Sequence, residues 1–212
     1  MKTEDLIRAL AADGARRTTQ LSRCLLSGVL SGVVLAVALF LGTLRTRPDI
    51  AVAFRSPGFD FKLVVALLLL ATAGALLPKV ARPLPVTGRG RTRLIIAPLL
   101  LAVGVVVELC VQPSGLWLPR LVGHNAVHCL SIIPFLSAAP AASILLALRI
   151  GAPAQPAFAG AVAGLIAGGF GAALYALTCP DDSPLFVATW YTMAIAVVTS
   201  LTACAGARLL RW

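Results

Sequence analysis

Charged and aromatic residues are both scarce in this 212-residue chain. Asp, Glu, Lys and Arg make up 12% of the residues, and Phe, Trp and Tyr only 6%. Soluble domains carry about a quarter charged residues. The charges that are present cluster in short polar connections, and Ala, Leu, Val and Gly dominate the long segments between them. This composition excludes an ordinary soluble domain and favours lipid-facing, tightly packed helices.

Three further features that the sequence lacks disfavour particular classes of protein. None of the five cysteines forms a CxxC pair, which disfavours a zinc ribbon or a thioredoxin-type motif. Glu108 is the only carboxylate within an apolar segment, and this disfavours a proton-coupled transporter. The amino terminus, MKTEDLIRALAADGARR, is polar for too long to be a cleavable signal peptide.

Six segments are apolar and long enough to span a membrane, given that a span needs about 20 such residues. The predicted spans are 24–44, 63–77, 94–111, 127–148, 157–177 and 185–207. The predicted fold class is therefore all-α, a polytopic membrane protein with a bundle of about six transmembrane helices. Residues 21–212 form this bundle, and residues 1–20 form a short segment outside it.

The basic residues indicate the orientation of the bundle. With the amino terminus in the cytoplasm, 13 of the 18 Lys and Arg residues lie on the cytoplasmic side, as the positive-inside rule requires. The connection KVARPLPVTGRGRTR is the strongest contribution to this count. The other five, at positions 45, 47, 55, 62 and 120, lie outside, and the basic loop RTRPDIAVAFRS opposes the assignment. We therefore expect both termini in the cytoplasm. The net charge of +10 then reflects topology, and no nucleic-acid partner is inferred.

Small residues recur at helical spacing in two spans. Gly28 and Gly32 lie four residues apart in the first span, and Gly160, Gly164 and Gly168 repeat this spacing in the fifth. Such rows allow the backbones of neighbouring helices to approach closely. Close packing is thus predicted in preference to a glycine-lined conduit.

The amino-terminal segment is predicted to form a short amphipathic helix. Thr3 can cap it, and Gly14 is expected to end it. The helix dipole favours acidic residues in the first turn. An apolar stripe follows. The acidic residues of the first turn are Glu4 and Asp5. The apolar stripe consists of Leu6, Ile7, Leu10 and Ala11. From the residues alone, this helix either rests on the lipid surface or inserts into a groove of a partner protein.

Cys129 and Cys179 are predicted to meet at the outer face. They lie at the outer ends of the fourth and fifth spans, which the short turn GAPAQP joins. Three readings stay open: a reversible disulfide, a site for Zn²⁺ or Cd²⁺, or two small buried residues. Possible accessory or metal-binding side chains nearby are His124, His128 and Asp181.

The chain resembles the NrsF-type family of membrane anti-sigma factors. The resemblance covers essentially the whole chain, and its motifs keep their order and spacing. They are KTEDLIRALAADG, GHNAVHCLSIIP, LRIGAPAQPAFAGAVAGLIAGG, ALYALTCPDDSPLFVATWY and the terminal LLRW. The resemblance implies a bacterial inner-membrane regulator without enzymatic activity or a cofactor. Its cytoplasmic amino-terminal segment would hold an extracytoplasmic-function sigma factor, here through Asp5, Leu6, Ile7 and Leu10.

The resemblance also assigns a role to the paired cysteines. In the family they sense oxidants or heavy metals and cause release of the sigma factor, and they match Cys129 and Cys179 here. Related proteins often have His before the second cysteine, whereas this chain has Thr178. That difference weakens the metal reading and leaves a thiol switch intact. The alternative function is a transporter of a small solute or metal. A membrane thiol oxidoreductase is disfavoured because no CxxC pair is present.

Overall fold

The computed structural model describes the backbone of residues 3–84 and 88–211, and the side chains in this range except those of residues 3, 5–18 and 89. Throughout this part of the chain all regular elements are helical, which confirms the all-α prediction. The α-helices are Thr3–Thr43, Ile50–Ala53, Pro57–Gly74, Leu77–Val80, Gly88–Thr92, Ile96–Val111, Trp117–Val122, Ala126–Leu148, Pro156–Ala176, Pro184–Phe186 and Thr192–Leu209. Arg93–Ile95 and Ser114–Leu116 are 3₁₀-helical, and Val187–Tyr191 is a π-helical turn.

Six helical segments are long and apolar enough to cross a membrane, which confirms the predicted number. In the described residues they are Thr19–Thr43, Pro57–Val80, Gly90–Val111, Ala126–Leu148, Pro156–Ala176 and Pro184–Leu209, here called the first to sixth spans. The second span begins six residues earlier than predicted. Lys62, expected in a connecting loop, therefore lies within the span. The prediction failed there because Asp60 and Lys62 interrupt the apolar pattern.

The amino-terminal segment is continuous with the first span. One helix runs from Thr3 to Thr43, so the prediction that Gly14 ends a separate helix is wrong. Glycine within a helix costs about 1 kcal/mol relative to alanine, and extending an existing helix over a strongly apolar run offsets that cost. At 1.5 Å per residue the helix is roughly 60 Å long. The side chains of Asp5, Leu6, Ile7 and Leu10 lie outside the described residues.

The fifth span lies at the centre of the bundle. In its most apolar stretch 67% of the residues are buried, compared with 22% in the first span and 11% in the third. The first and third spans therefore present most of their apolar side chains outward, where a bilayer would cover them.

Two glycine rows set the closest helix contacts. A Cβ atom on Gly28 would lie 2.7 Å from Cβ of Ala147, and one on Gly32 would lie 2.6 Å from Cα of Pro140. These contacts join the first span to the fourth. Gly160 lies in the same way against the backbone of the sixth span at Thr202 and Gly206. The predicted close packing is confirmed, because at these positions only hydrogen fits between the backbones.

The buried apolar residues form two main clusters at opposite ends of the bundle. One includes Leu25, Leu76 and Leu210, at the end where the first span starts and the sixth ends. We call this end the terminal face. The other includes Cys129 and Cys179, at the end where the first span finishes and the sixth begins. We call this end the cysteine face.

We expect Gly160→Ala to lower the thermal unfolding midpoint of the purified protein in detergent. The added Cβ would overlap the Thr202 carbonyl oxygen, and overpacking of this kind costs about 1–3 kcal/mol. Gly42→Ala is the matched control, because a Cβ there meets nothing within 4 Å. Equal unfolding midpoints for the two variants would contradict a close-packed seam between the fifth and sixth spans.

Candidate thiol site at the cysteine face

Cys129 and Cys179 lie side by side in the core of the cysteine face. Cys129 is in the first turns of the fourth span, and Cys179 is three residues beyond the helix of the fifth. Their thiols are hydrogen-bonded, and both cysteines are in the free, unbridged form. Cys129 is 0% exposed and Cys179 is 1% exposed. The predicted proximity is thus observed, and aromatic residues cover both thiols.

Two tyrosines form the wall around the thiols. Tyr175 contacts both sulfur atoms, and its ring centroid lies 5.9 Å from that of Tyr191. The buried Tyr191 hydroxyl lies beside Cys179 without a well-formed hydrogen bond, and the buried Thr178 hydroxyl also lacks a partner. Buried hydroxyls without partners are costly. Their presence here indicates that the site is not arranged for maximal stability alone.

Lys62 brings a positive charge into the same core. Its side chain is fully buried, and its Nζ donates to the Cys179 carbonyl at 2.9 Å and to Asp182 Oδ1 at 2.6 Å. Nζ also lies 6.0 Å from the centroid of the Tyr191 ring. A buried ammonium is tolerated only when it is paired and hydrogen-bonded. The segment 179–182 supplies those partners and is held against the second span in return.

Asp182 also binds Arg47, beyond the end of the first helix. Arg47 Nη1 donates to Asp182 Oδ2 at 3.0 Å, and its other guanidinium nitrogens hold Asp49. The backbone N–H of Arg47 donates to the Leu177 carbonyl at 3.1 Å. The ion pairs raise the pKa of Arg47, with Asp49 as the largest cause. The segment around Cys179 is therefore bound to the connection that follows the first helix.

Asp181 fastens the start of the fourth span. Its carboxylate accepts hydrogen bonds from the backbone N–H groups of His124 and Asn125 and from the Asn125 amide, at 3.0–3.1 Å. Gly123 has a φ of +59°, which turns the chain so that these groups face Asp181. Burial raises the pKa of the Asp181 carboxyl, but these hydrogen bonds outweigh it and lower the pKa below its usual value.

Glu108 stabilises the start of the sixth span. Its carboxylate accepts from the Ser183 hydroxyl at 2.7 Å and from the Leu185 N–H at 2.8 Å, and it pairs with Arg120 at 3.1 Å. A carboxylate at this position accepts hydrogen bonds from N–H groups that have no partner within the helix. Its negative charge also interacts favourably with the helix dipole. The one acidic residue predicted inside a span is therefore explained by helix capping from a neighbouring helix.

The sixth span has a π-helical turn where it passes the thiols. The turn covers Val187–Tyr191 and places the Tyr191 side chain in the thiol core. Trp190, in the same turn, donates from Nε1 to the Leu121 carbonyl at 2.9 Å. Such turns are rare and occur frequently at functional sites. Because of the irregular turn, Tyr191 packs in the thiol core while its neighbour Trp190 binds the Leu121 carbonyl.

The environment of Cys179 favours its thiolate form. The pKa of Cys179 is lowered to about 7, chiefly because the Cys129 thiol hydrogen-bonds to its sulfur. Burial acts in the opposite direction, and the charge of Lys62 adds to the lowering. Since the thiolate is the reactive form of cysteine, this residue is suited to react near neutral pH.

A cavity of about 860 Å³ opens beside the segment that follows Cys179. Its lining includes Glu108, Arg120, Asp181, Asp182 and Ser183. The polar network described above therefore forms one wall of a recess at the cysteine face.

The two histidines do not join the thiols. His124 is 94% exposed, with Nδ1 3.5 Å from Asp181 Oδ1. His128 is exposed although its neighbour Cys129 is buried. Among the described residues no group of three or more His, Cys, Asp or Glu side chains is arranged to hold a metal ion. The geometry therefore supports thiol chemistry more than the metal site considered from the sequence.

Lys62, Arg47 and the two tyrosines were not predicted as parts of the site. One signal for Lys62 was present in the sequence, because Lys62 shares a helical face with the apolar residues Phe59 and Ala66. In the structure all three are buried. The sequence contains no comparable signal for the pairing of Arg47 with Asp182, which are 135 positions apart.

The fold and the site together define a polytopic membrane protein with a buried thiol pair at one face. The chain belongs to the family described as "Negative regulator of sigma F", whose model matches residues 10–212. It is 35% identical to the anti-sigma-F factor NrsF of Caulobacter vibrioides (strain NA1000 / CB15N). It is 29% identical to the probable anti-sigma-F factor NrsF of Azospira oryzae (strain ATCC BAA-33 / DSM 13638 / PS). Both alignments cover 100% of each chain. No solved structure matches the chain.

Proposed function

We propose that this protein is a membrane-bound anti-sigma factor. In this proposal its amino-terminal segment sequesters an extracytoplasmic-function sigma factor, and oxidative or heavy-metal stress at Cys129 and Cys179 releases it. The full-length match to relatives named anti-sigma-F factors carries the regulatory part. The hydrogen-bonded thiol pair in the core of one face supports the sensory part. The role is regulatory and not enzymatic.

The ion pairs at the cysteine face support the proposed orientation in the bacterial inner membrane. The main argument against it was the basic residues on the outer side. Arg47, Lys62 and Arg120 are all engaged in ion pairs within the folded site, which gives them a structural reason to be there. With the cysteine face outside, the thiols meet an oxidising compartment and the terminal face meets the cytoplasm, where sigma factors act.

The continuous first helix supports a route from the thiols to the docking segment. A disulfide brings two sulfur atoms to about 2.05 Å, closer than hydrogen-bonded thiols. Closing that gap pulls the Cys179 segment towards the fourth span and stresses the bonds that Arg47 makes to Asp182 and to the Leu177 carbonyl. Arg47 lies four residues after the end of a helix that runs from Thr3 to Thr43. A disulfide typically contributes a few kcal/mol, which is sufficient to shift an equilibrium between holding and releasing.

The charges within the spans support a regulator over the alternative of a transporter. Lys62 and Glu108 are the buried charged residues of the described spans, and both are held in ion pairs. A proton or ion relay needs groups that change partners during transport. The buried positions of both groups are explained by binding the segment between the fifth and sixth spans.

Reporter fusions test the orientation. We expect green fluorescent protein fused after position 212 to fluoresce, because that position lies on the cytoplasmic side. Alkaline phosphatase inserted at 113–115 should be active, because that loop lies on the cysteine face. Inverted activities of the two reporters would overturn the orientation and, with it, the periplasmic position of the thiols.

Serine variants test the sensory role. In Cys129→Ser and Cys179→Ser, we expect oxidant-induced transcription from the sigma-dependent promoter to fall to the uninduced level, since neither variant can form the disulfide. Cys110→Ser is the control, because Cys110 is exposed and lies outside the thiol core. Undiminished induction in the double variant, at normal protein levels, would remove the sensory claim. A cadmium-treated culture tests whether metal stress acts through the same thiols.

Charged substitutions test the docking segment. We expect Leu6→Asp and Leu10→Asp to give sigma-dependent transcription without stress. Each loses a buried apolar contact worth about 1.5–3 kcal/mol, which weakens binding by roughly tenfold or more. The control is Glu4→Gln, which changes an exposed residue of the same helix. If the leucine variants still repress at normal protein levels, the sigma factor binds elsewhere.

A further inference from the structure

The two thiols of the pair have different surroundings. Both belong to the apolar cluster that includes Ile133 and Leu136, but Cys129 lies within the helix of the fourth span. Cys179 lies in a polar segment whose own carbonyl group is bound by a buried ammonium. The pair is therefore chemically asymmetric, although both sulfur atoms are equally hidden from solvent.

Lys62 contributes to this asymmetry, because it binds the backbone of the Cys179 segment. Its Nζ binds the carbonyls of Cys179 and Asp181 at 2.9 and 3.4 Å, and it is paired with Asp182. It also lies 5.5 Å from the centroid of the Phe59 ring, on the preceding turn of its own helix. These contacts fix the ammonium in one position. They also fix the backbone of Cys179, so the distance between charge and thiol is set by the fold.

We propose that Lys62 is a positioning residue that makes Cys179 the thiol that attacks an oxidant, with Cys129 as the resolving thiol. The inference rests on the proposed function, and it deepens that function by assigning separate roles to the two cysteines. Lys62 touches neither oxidant nor reacting atoms in this scheme. It acts by holding the Cys179 segment and by stabilising negative charge on its sulfur.

The chemistry has two balanced steps when the oxidant is a hydroperoxide. The Cys179 thiolate attacks one peroxide oxygen, an S–O bond forms as the O–O bond breaks, and hydroxide or alkoxide leaves. Sulfur loses two electrons, and the peroxide gains them. The Cys129 sulfur then attacks the Cys179 sulfenic acid. The S–S bond forms as the S–O bond breaks, and water leaves with the Cys129 proton.

The pH dependence of the first step follows from the groups that face Cys179. They are Cys129 from the fourth span, Tyr175 from the fifth, Tyr191 from the sixth, Lys62 from the second, and Asp181 and Asp182 from the segment itself. The pKa of Cys179 is lowered to about 7, by the Cys129 thiol first and by Lys62 in addition. Since the thiolate reacts, the rate rises with pH through this value. Removing Lys62 moves the rise to higher pH.

The first experiment leaves Lys62 unchanged. It uses the full chain in membranes with Cys24, Cys110 and Cys204 changed to Ser, so that only the pair can react. We expect hydrogen peroxide followed by a sulfenic-acid probe such as dimedone to label Cys179 in Cys129→Ala. Little label should appear on Cys129 in Cys179→Ala. Equal labelling, or stronger labelling of Cys129, would overturn the assignment.

The second experiment changes Lys62 in the Cys129→Ser variant of that protein, where the serine hydroxyl can replace the thiol as donor. We expect Lys62→Met to move the pH midpoint of labelling to a higher value and to slow labelling at pH 7, because one of the causes that lower the pKa of Cys179 is lost. Lys62→Arg should restore most of the rate, because it keeps a cation. Arg45→Met is the control, since Arg45 is exposed on the same face.

One outcome of the second experiment overturns the proposal, and the two experiments together distinguish it from the proposed sensory function. An unchanged pH midpoint in Lys62→Met would overturn the proposal. Folding is checked by the thermal midpoint, and Asp182 keeps Arg47 as its partner in this variant. The labelling needs no sigma factor, so it is independent of the transcription assay. Suppose that Cys179 is labelled more than Cys129 and that oxidant still induces transcription in the double serine variant. This pair of results would refute the sensory function and leave the assignment of the two thiols intact.

Discussion

The two ion pairs of Asp182 connect the parts of the cysteine face. One oxygen of its carboxylate binds Lys62 at 2.6 Å, and the other binds Arg47 at 3.0 Å. A fully buried ammonium at the end of a span is strongly unfavourable unless a counter-charge reaches it. The segment 179–182 therefore has to fold inward against the second span. That constraint also decides where Cys179 lies.

Once Asp182 is placed, its neighbours take defined partners. Asp181 binds the backbone at the start of the fourth span, which brings Cys129 beside Cys179. Ser183 and Leu185 meet Glu108, which orients the start of the sixth span. One short polar segment thus gathers five of the six spans around the thiols. A chemical change at Cys179 acts on the element that holds them together.

The glycine contacts give this arrangement mechanical continuity across the bundle. The fourth span carries Cys129 and packs backbone to backbone against the first span at Gly28 and Gly32. The first span belongs to the helix that extends to Thr3. When one of two close-packed helices is displaced, the other moves with it, because there is no free space between them.

Local features of the chain were sufficient to predict the helical class, the number of spans and the proximity of Cys129 to Cys179. These follow from local hydrophobicity and from the short turn between the fourth and fifth spans, both of which are readable along the chain. The burial of Lys62, its pairing with Asp182 and the capping of the sixth span by Glu108 were decided only by the tertiary structure. Each joins residues more than 70 positions apart. A polar residue in an apolar run signals its need for a partner, but the identity of that partner depends on which helices pack together.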